Sequence, residues 1–316
     1  MSAERISQFA QYAVFRALVC VLNILPLTAC IRFARFAAFV IWLLPRKLTR
    51  YHVSRENIRK SFGETLTDRQ VDEMIHGMWV HLFRMIPEIV QLPRKLRLYN
   101  CADVIKFRNR DETVRCLSTG RPVLILSGHF GNWEVAMTTF GVFGFPCGVV
   151  ARDLDNPYLD DWFRQFRRFT GHRLISKKGG GSEMAAILER RGHLGLLGDQ
   201  DAGSGGLFVD FFGRPASTFK SIALLAIEFR AYILVGYARR LPDDLENNRW
   251  VTYELGTEEI IDPLEFDGPD AVVKITERYT NALERIVRLA PEQYFWVHRR
   301  WKSVPRQRGK KKRAAA

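Results

Sequence analysis

The sequence predicts an α/β protein, a mostly parallel sheet flanked by helices, preceded by an N-terminal membrane-associated helical segment. Three observations carry this. From residue 122 to about residue 289, short apolar runs alternate with longer amphipathic stretches, the order that builds a parallel sheet with crossover helices. Two of the short runs, VLIL at 123–126 and YILVGY at 232–237, are apolar without interruption by charge, as in strands covered on both faces. Before residue 50, two apolar runs are framed by arginines with almost no acids.

Taken in order, residues 17–31 (ALVCVLNILPLTACI) hold no charge, and residues 36–44 read FAAFVIWLL. A spanning helix needs roughly 17–25 apolar residues. The first run is short and contains Pro26; the second is too short alone. No small-residue cleavage site comes before Arg46 and Lys47, which argues against a cleaved signal peptide. Residues 8–45 therefore predict a helical hairpin inserted in a membrane or lying on it. Arg16, Arg32, Arg35, Arg46 and Lys47 would snorkel to headgroups; the competing reading is a buried helix pair. Residues 51–62 read as a helix. Thr67 and Gln70 form a capping-box pattern opening an amphipathic helix that Pro87 kinks and Pro93 ends. A helix follows at 108–118, closed by Gly120. Strands are expected at 122–127, 147–151, 173–176, 193–197, 232–237 and 250–254. Helices are expected at 132–142, 156–170, 182–191, 218–229 and 270–289, the last with Val272, Ile275, Tyr279, Ala282, Ile286 and Leu289 on one face.

The 316 residues are 47% hydrophobic, enough for a sizeable core. The net charge of +14 lies at the ends: residues 1–60 hold ten Lys/Arg against two acids, and residues 305–316 hold six against none, which leaves 61–304 formally neutral. That distribution argues against a basic nucleic-acid groove across the body and fits ends that touch an anionic surface. The domain boundaries follow: 1–50 as anchoring segment, 51–304 as folded body, 305–316 as a disordered basic tail. Five scattered cysteines without a CxxC suggest neither a disulfide framework nor a zinc site, and a reducing cytoplasmic setting.

The chemistry concentrates in SGHFGNWE (127–134), at the end of an apolar strand, where open α/β sheets gather ligands. Gly128 and Gly131 permit a tight turn. Asn132 is the natural N-cap, and Glu134 falls in the first helical turn, where the macrodipole favours a carboxylate. If the turn folds His129 back over the helix start, one ring nitrogen meets Glu134 and the other faces a substrate, as a general base requires. A satisfied structural histidine explains the residues equally well. The further ligands of a metal site and the GxSxG of a serine hydrolase are missing. Asp199 also follows an apolar strand and joins a polar site or a surface loop. SKKGGGSEM (176–184) places Lys177 and Lys178 before a helix start capped by Ser182, a flexible turn or a phosphate seat. Thr218 reads as a cap. Arg299 and Arg300 read as headgroup contacts or a solvated face. His52, His76, His81, His172, His193 and His298 read as structural or surface residues.

HFGNWE resembles the H-x4-D/E signature of membrane glycerolipid acyltransferases, in the form found in the lipid A late-acyltransferase family, with phosphatidylinositol-mannoside acyltransferases as cousins. ARDLDNPYLDDW (151–162), LLGDQDAGSGGLFVDFFGRPASTFKS (196–221) and PEQYFWVHRRWK (291–302) resemble further blocks of that family in the same order. The resemblance implies a glycerolipid-acyltransferase-like fold in 51–304. It implies acyl transfer from acyl-acyl carrier protein to a hydroxyl of a lipid A precursor at the cytoplasmic face of the inner membrane. It needs no cofactor and no metal. Carried over, His129 is the general base and Glu134 its partner. Arg152, Asn132, Asp199, Arg299 and Arg300 contact substrate, and the oxyanion meets Arg152 or amides at the start of the Asn132 helix. The partners implied are acyl carrier protein, a glycolipid acceptor and the membrane, with no nucleic acid. Alternatives are acylation of another glycolipid or a lysophospholipid, also from acyl-CoA, or an inactive lipid-binding scaffold.

Overall fold

The computed structural model describes residues 3–177, 179–247 and 250–305; Lys178 and most of the basic tail, 306–316, lie outside the described residues. The N-terminal hairpin is two helices, α1 (Ala3–Ile24) and α2 (Leu27–Leu43). Pro26 separates them as the N-cap of α2, a position where its missing N–H costs no helical bond. The pair rests on α4 (Asp68–Lys95), which follows α3 (Tyr51–Phe62). Gln91 of α4 donates to the carbonyls of Leu22 (2.7 Å) and Leu25 (3.0 Å), satisfying the end of α1. The expected capping box is present, Gln70 N donating to Thr67 Oγ1 and Thr67 N to Gln70 Oε1. Pro93 does not end this helix. It lies in the last turn and forfeits only its own bond, so α4 runs on to Lys95.

Among the described residues no helix is long and apolar enough to cross a membrane. The outer faces of α1 and α2 nevertheless expose Ile6, Phe9, Val14 and Ile24, and Phe36, Phe39, Trp42 and Leu43.

The body follows as α5 (Cys101–Val104), β1 (Ile105–Arg108), α6 (Arg110–Leu117), β2 (Val123–Ser127), α7 (Trp133–Val142), β3 (Cys147–Ala151), α8 (Pro157–Arg168), β4 (Arg173–Ser176), α9 (Gly181–Glu189) and β5 (His193–Leu197). It continues with β6 (Leu207–Phe211), β7 (Arg214–Thr218), α10 (Lys220–Glu228), β8 (Tyr232–Arg240), β9 (Tyr253–Ile261) and α11 (Ala271–Leu289). One seven-stranded sheet has the order β1-β9-β8-β2-β5-β3-β4 and is parallel except for β8 against β9. β6 and β7 form a separate antiparallel hairpin.

β1 and the hairpin have no counterpart among the expected elements, and the strand expected at 250–254 starts at Tyr253. In all three, charge or proline interrupts the apolar pattern: IKFR in β1, LFVDF and RPAST in the hairpin, YELGTEEII in β9. Glu258 and Glu259 on β9 pair with Arg285 and Arg278 of α11, so its apolar pattern is broken by ion pairs. Gly180, not Ser182, occupies the N-cap of α9. For the site, the decisive pairing is β2 with β5. Ser127 stands opposite Leu197, and Gly198 N donates to Ser127 O (2.9 Å), so both chains leave the sheet side by side.

Candidate active site

The turn after β2 is held from two sides. Gly131 has φ +57°, and a Cβ there would collide with the Ala238 carbonyl of β8. Its N–H donates to Gln293 O (3.0 Å), Asn132 N donates to Ala238 O (2.8 Å), and Phe295 N donates to His129 O (3.0 Å). Asn132 caps α7 by accepting from Val135 N (3.3 Å). Gly128 lets the neighbouring chain approach, since a Cβ there would stand 3.2 Å from the Cβ of Asp199.

Asp199 is the acid that orients His129. Its Oδ1 lies 2.8 Å from His129 Nδ1, and its Oδ2 accepts from the His129 backbone N–H at 2.9 Å. A carboxylate only accepts, so Nδ1 carries the proton and Nε2 keeps its lone pair. Asp199 is 2% exposed. Burial raises its pKa, but the charge of His129 and its hydrogen bonds outweigh that and hold the carboxyl well below the usual range. Burial lowers the pKa of His129, Asp199 more than reverses this, and Lys177 opposes it, leaving the imidazole above its ordinary value. The ring is edge-on to Trp133 (5.2 Å) and to His298 (4.9 Å).

His129 opens onto a cavity of about 630 Å³. Trp133, Glu134, Arg167, Lys177 and Gln200 contribute to its polar and aromatic lining. Met137, Phe140, Phe143 and Phe145 line it along and beyond α7.

Residues 3–303 match the family model described as bacterial lipid A biosynthesis acyltransferase. The chain belongs to that family. It is 28% identical over 188 residues to the lipid A biosynthesis lauroyltransferase of Escherichia coli (strain K12), covering 58% of each chain. It is 27% identical over 180 residues to the phosphatidylinositol mannoside acyltransferase of Mycolicibacterium smegmatis (strain ATCC 700084 / mc(2)155), covering 55% of this chain and 58% of the relative. The matched stretch thus spans little more than half the length of either relative.

Several site residues expected in this member of the family are placed differently. Glu134 makes no hydrogen bond to His129. It forms a two-pronged ion pair with Arg167 of α8, Oε1–Nη2 at 2.5 Å and Oε2–Nε at 3.2 Å. Five residues after the histidine, the helix has turned Glu134 toward α8, while Asp199 reaches His129 from the adjoining strand. Asn132 is fully buried, and its amide donates to Glu88 Oε2 (3.4 Å) and Tyr253 Oη (3.1 Å) behind the site, so it shapes the turn rather than touching substrate. Arg300 is also buried, donating to Ser217 O (2.5 Å), Thr218 Oγ1 (2.8 Å) and Gln200 O (3.4 Å); it braces the Asp199 loop against β7. Arg299 is exposed. Arg152 is exposed at the cavity wall, 3.6 Å from Asp155. The amides of Gly131, Asn132 and Val135 are already occupied, which narrows the expected oxyanion donors at the start of α7 to those of Trp133 and Glu134. Sequence reasoning missed Arg167, Gln200 and His298 as site residues. Gln200 and His298 both lie in the blocks that carry the resemblance, which was the available signal.

Proposed function

We propose that the protein is a membrane-associated O-acyltransferase that moves a fatty acyl chain from acyl-acyl carrier protein to a hydroxyl of a lipid A precursor, with His129 as general base. The observation that carries this is the Asp199-oriented His129 in the wall of a largely apolar cavity. A thioester is already activated, so no enzyme nucleophile is needed. Nε2 takes the proton of the acceptor hydroxyl as its oxygen attacks the thioester carbonyl. The C–O bond forms, the C–S bond breaks, and the imidazolium returns the proton to the departing sulfur. A positioned base contributes about 10²–10⁴-fold. Lys177 lines the same cavity and acts electrostatically on His129; we assign it to the developing oxyanion. Glu134 acts through Arg167, holding a guanidinium in the cavity wall, and Arg152 and Arg299 meet acceptor or carrier at the surface.

The exposed apolar residues of α1 and α2 support a protein that lies in the interface of a leaflet. The flanking arginines and basic tail suit the cytoplasmic face of an inner membrane and an acidic carrier protein. The mannoside acyltransferase relative favours a second acceptor class, a phosphatidylinositol-linked mannolipid.

Mass spectrometry in detergent micelles tests the reading. Purified protein and its His129→Ala variant receive a pool of acyl-acyl carrier proteins and a tetra-acylated lipid A precursor. One added acyl mass with the wild type alone is the expected result. Thioester loss without acylation, followed by acylation of a mannolipid, moves the acceptor to the second class. Neither transfer nor thioester loss refutes the enzyme.

A further inference from the structure

We infer that Gln200, anchored by His298, caps the basic nitrogen of His129 in the resting site and leaves it when an acceptor hydroxyl arrives, so that a bound thioester is not hydrolysed first. The inference rests on the acyl-transfer reading above. The Gln200 side-chain nitrogen lies 3.3 Å from His129 Nε2 and 3.0 Å from His298 Nε2. Because Asp199 fixes the proton on His129 Nδ1, Nε2 of the neutral ring accepts, and the Gln200 group facing it is the NH2. One of its hydrogens meets each histidine. Placing the carbonyl oxygen there instead would require a proton on Nε2 and hence an imidazolium.

The two distances set the order of strength. The bond to His298 is shorter, so His298 is the anchor, and the bond to His129 is the one an incoming hydroxyl displaces. The anchor is itself clamped. Asn57 donates to the carbonyls of Trp296 (2.7 Å) and His298, and Arg300 donates to Gln200 O at 3.4 Å. Backbone and anchor stay in place while the amide turns. Burial and the charge of His129 press the pKa of His298 down to about 4, so it stays uncharged when His129 takes up a proton, and with its own proton on Nδ1 its Nε2 accepts from Gln200. The charged and titratable groups facing this pair are Asp199 and Lys177 on His129, and Asp199 and Arg50 on His298.

Water competes with the acceptor for the same chemistry. Its proton would pass to Nε2, its oxygen would join the acyl carbon, and the C–S bond would break to give free fatty acid and thiol. A capped Nε2 gives water no base, whereas an acceptor bound through its own headgroup and chains can displace one long hydrogen bond. His298 and Gln200 are thereby positioning residues, acting through His129.

The test measures two products per thioester consumed, acylated lipid and free fatty acid, for wild type, Gln200→Ala, the volume-conserving Gln200→Met, and His298→Ala. The expected result is a rise in the ratio of free acid to lipid of roughly five- to tenfold in both Gln200 variants, the scale of one hydrogen bond, and a smaller rise in His298→Ala. Gln200→Glu places a carboxylate against Nε2 and moves the acid limb of the transfer profile to higher pH. An unchanged product ratio in Gln200→Met, or an equal loss of both products, overturns the cap while leaving wild-type transfer intact. A wild type that yields neither product overturns the acyl-transfer reading and the cap with it.

Discussion

Replacing Asp199 by asparagine should cost more than replacing Glu134 by glutamine, and the geometry says by how much. Asp199 accepts two hydrogen bonds from one residue, from Nδ1 and from the backbone N–H of His129. Asparagine offers one oxygen and one NH2 to the same two positions. The backbone amide can only donate, so the oxygen must face it, and the NH2 then faces Nδ1. That forces the imidazole into the tautomer with its proton on Nε2, and the base loses the lone pair that points at substrate. A wrong-tautomer change of this kind lowers kcat by about 10⁴ in serine proteases, so a loss of about 10³–10⁴ is expected here. Residual turnover should also shift in pH. In the wild type Asp199 holds the His129 pKa above its ordinary value, against burial and Lys177. The base is active when deprotonated, so the acid limb of the wild-type profile lies at higher pH than an unperturbed histidine would give. Without the carboxylate, burial and Lys177 dominate and the limb moves to lower pH, with a lower plateau. Glu134→Gln leaves His129 untouched, loosens Arg167, and should cost about tenfold, within the range of a hydrogen bond to a charged group. The assay is kcat for the size of the loss and kcat/KM, which reports the free enzyme's pKa, for the shift of the limb, both against pH from 5 to 9 with acyl-acyl carrier protein as donor. If Asp199→Asn keeps more than a tenth of wild-type activity while Glu134→Gln abolishes it, Glu134 is the orienting acid in the working enzyme and the pairing argued here is wrong.

Two further outcomes follow from the same structure. Gly131→Ala combines a left-handed φ with a collision against the Ala238 carbonyl, so stability in urea should fall by more than about 3 kcal/mol, with activity lost in parallel; a smaller fall would mean the turn is not held by β8. Replacing Phe36, Phe39 and Leu43 together with serine removes apolar surface from the exposed face of α2 and should weaken partition onto anionic vesicles by at least roughly tenfold, measured by cosedimentation, with the melting temperature nearly unchanged. Unaltered partition would remove α2 as the contact surface.

The sequence revealed the local half of the site and concealed the other half, for a physical reason. A strand of apolar residues, two glycines and an N-capping asparagine are local signals, and they place His129 at the end of β2 without any knowledge of the sheet. Which acid orients it is decided by strand order. Asp199 is seventy residues further on, and it becomes the neighbour of His129 only because β5 lies beside β2 in register. Spacing along the chain instead favours Glu134, which the helix carries toward α8. Arg300 misled in the complementary way. Its charge suggested a headgroup contact, but the acceptors it finds, the Ser217 carbonyl and the Thr218 hydroxyl, belong to a hairpin strand, RPAST, whose residues carry no apolar strand pattern. In both cases the residue was recognisable and its partner was not, because partners far apart in the chain are set by the tertiary arrangement of strands, parallel for Asp199 and an antiparallel hairpin for Arg300. Sequence blocks that recur in order but carry no local geometric signal, such as those holding Gln200 and His298, are therefore where the undetected half of such a site should be sought.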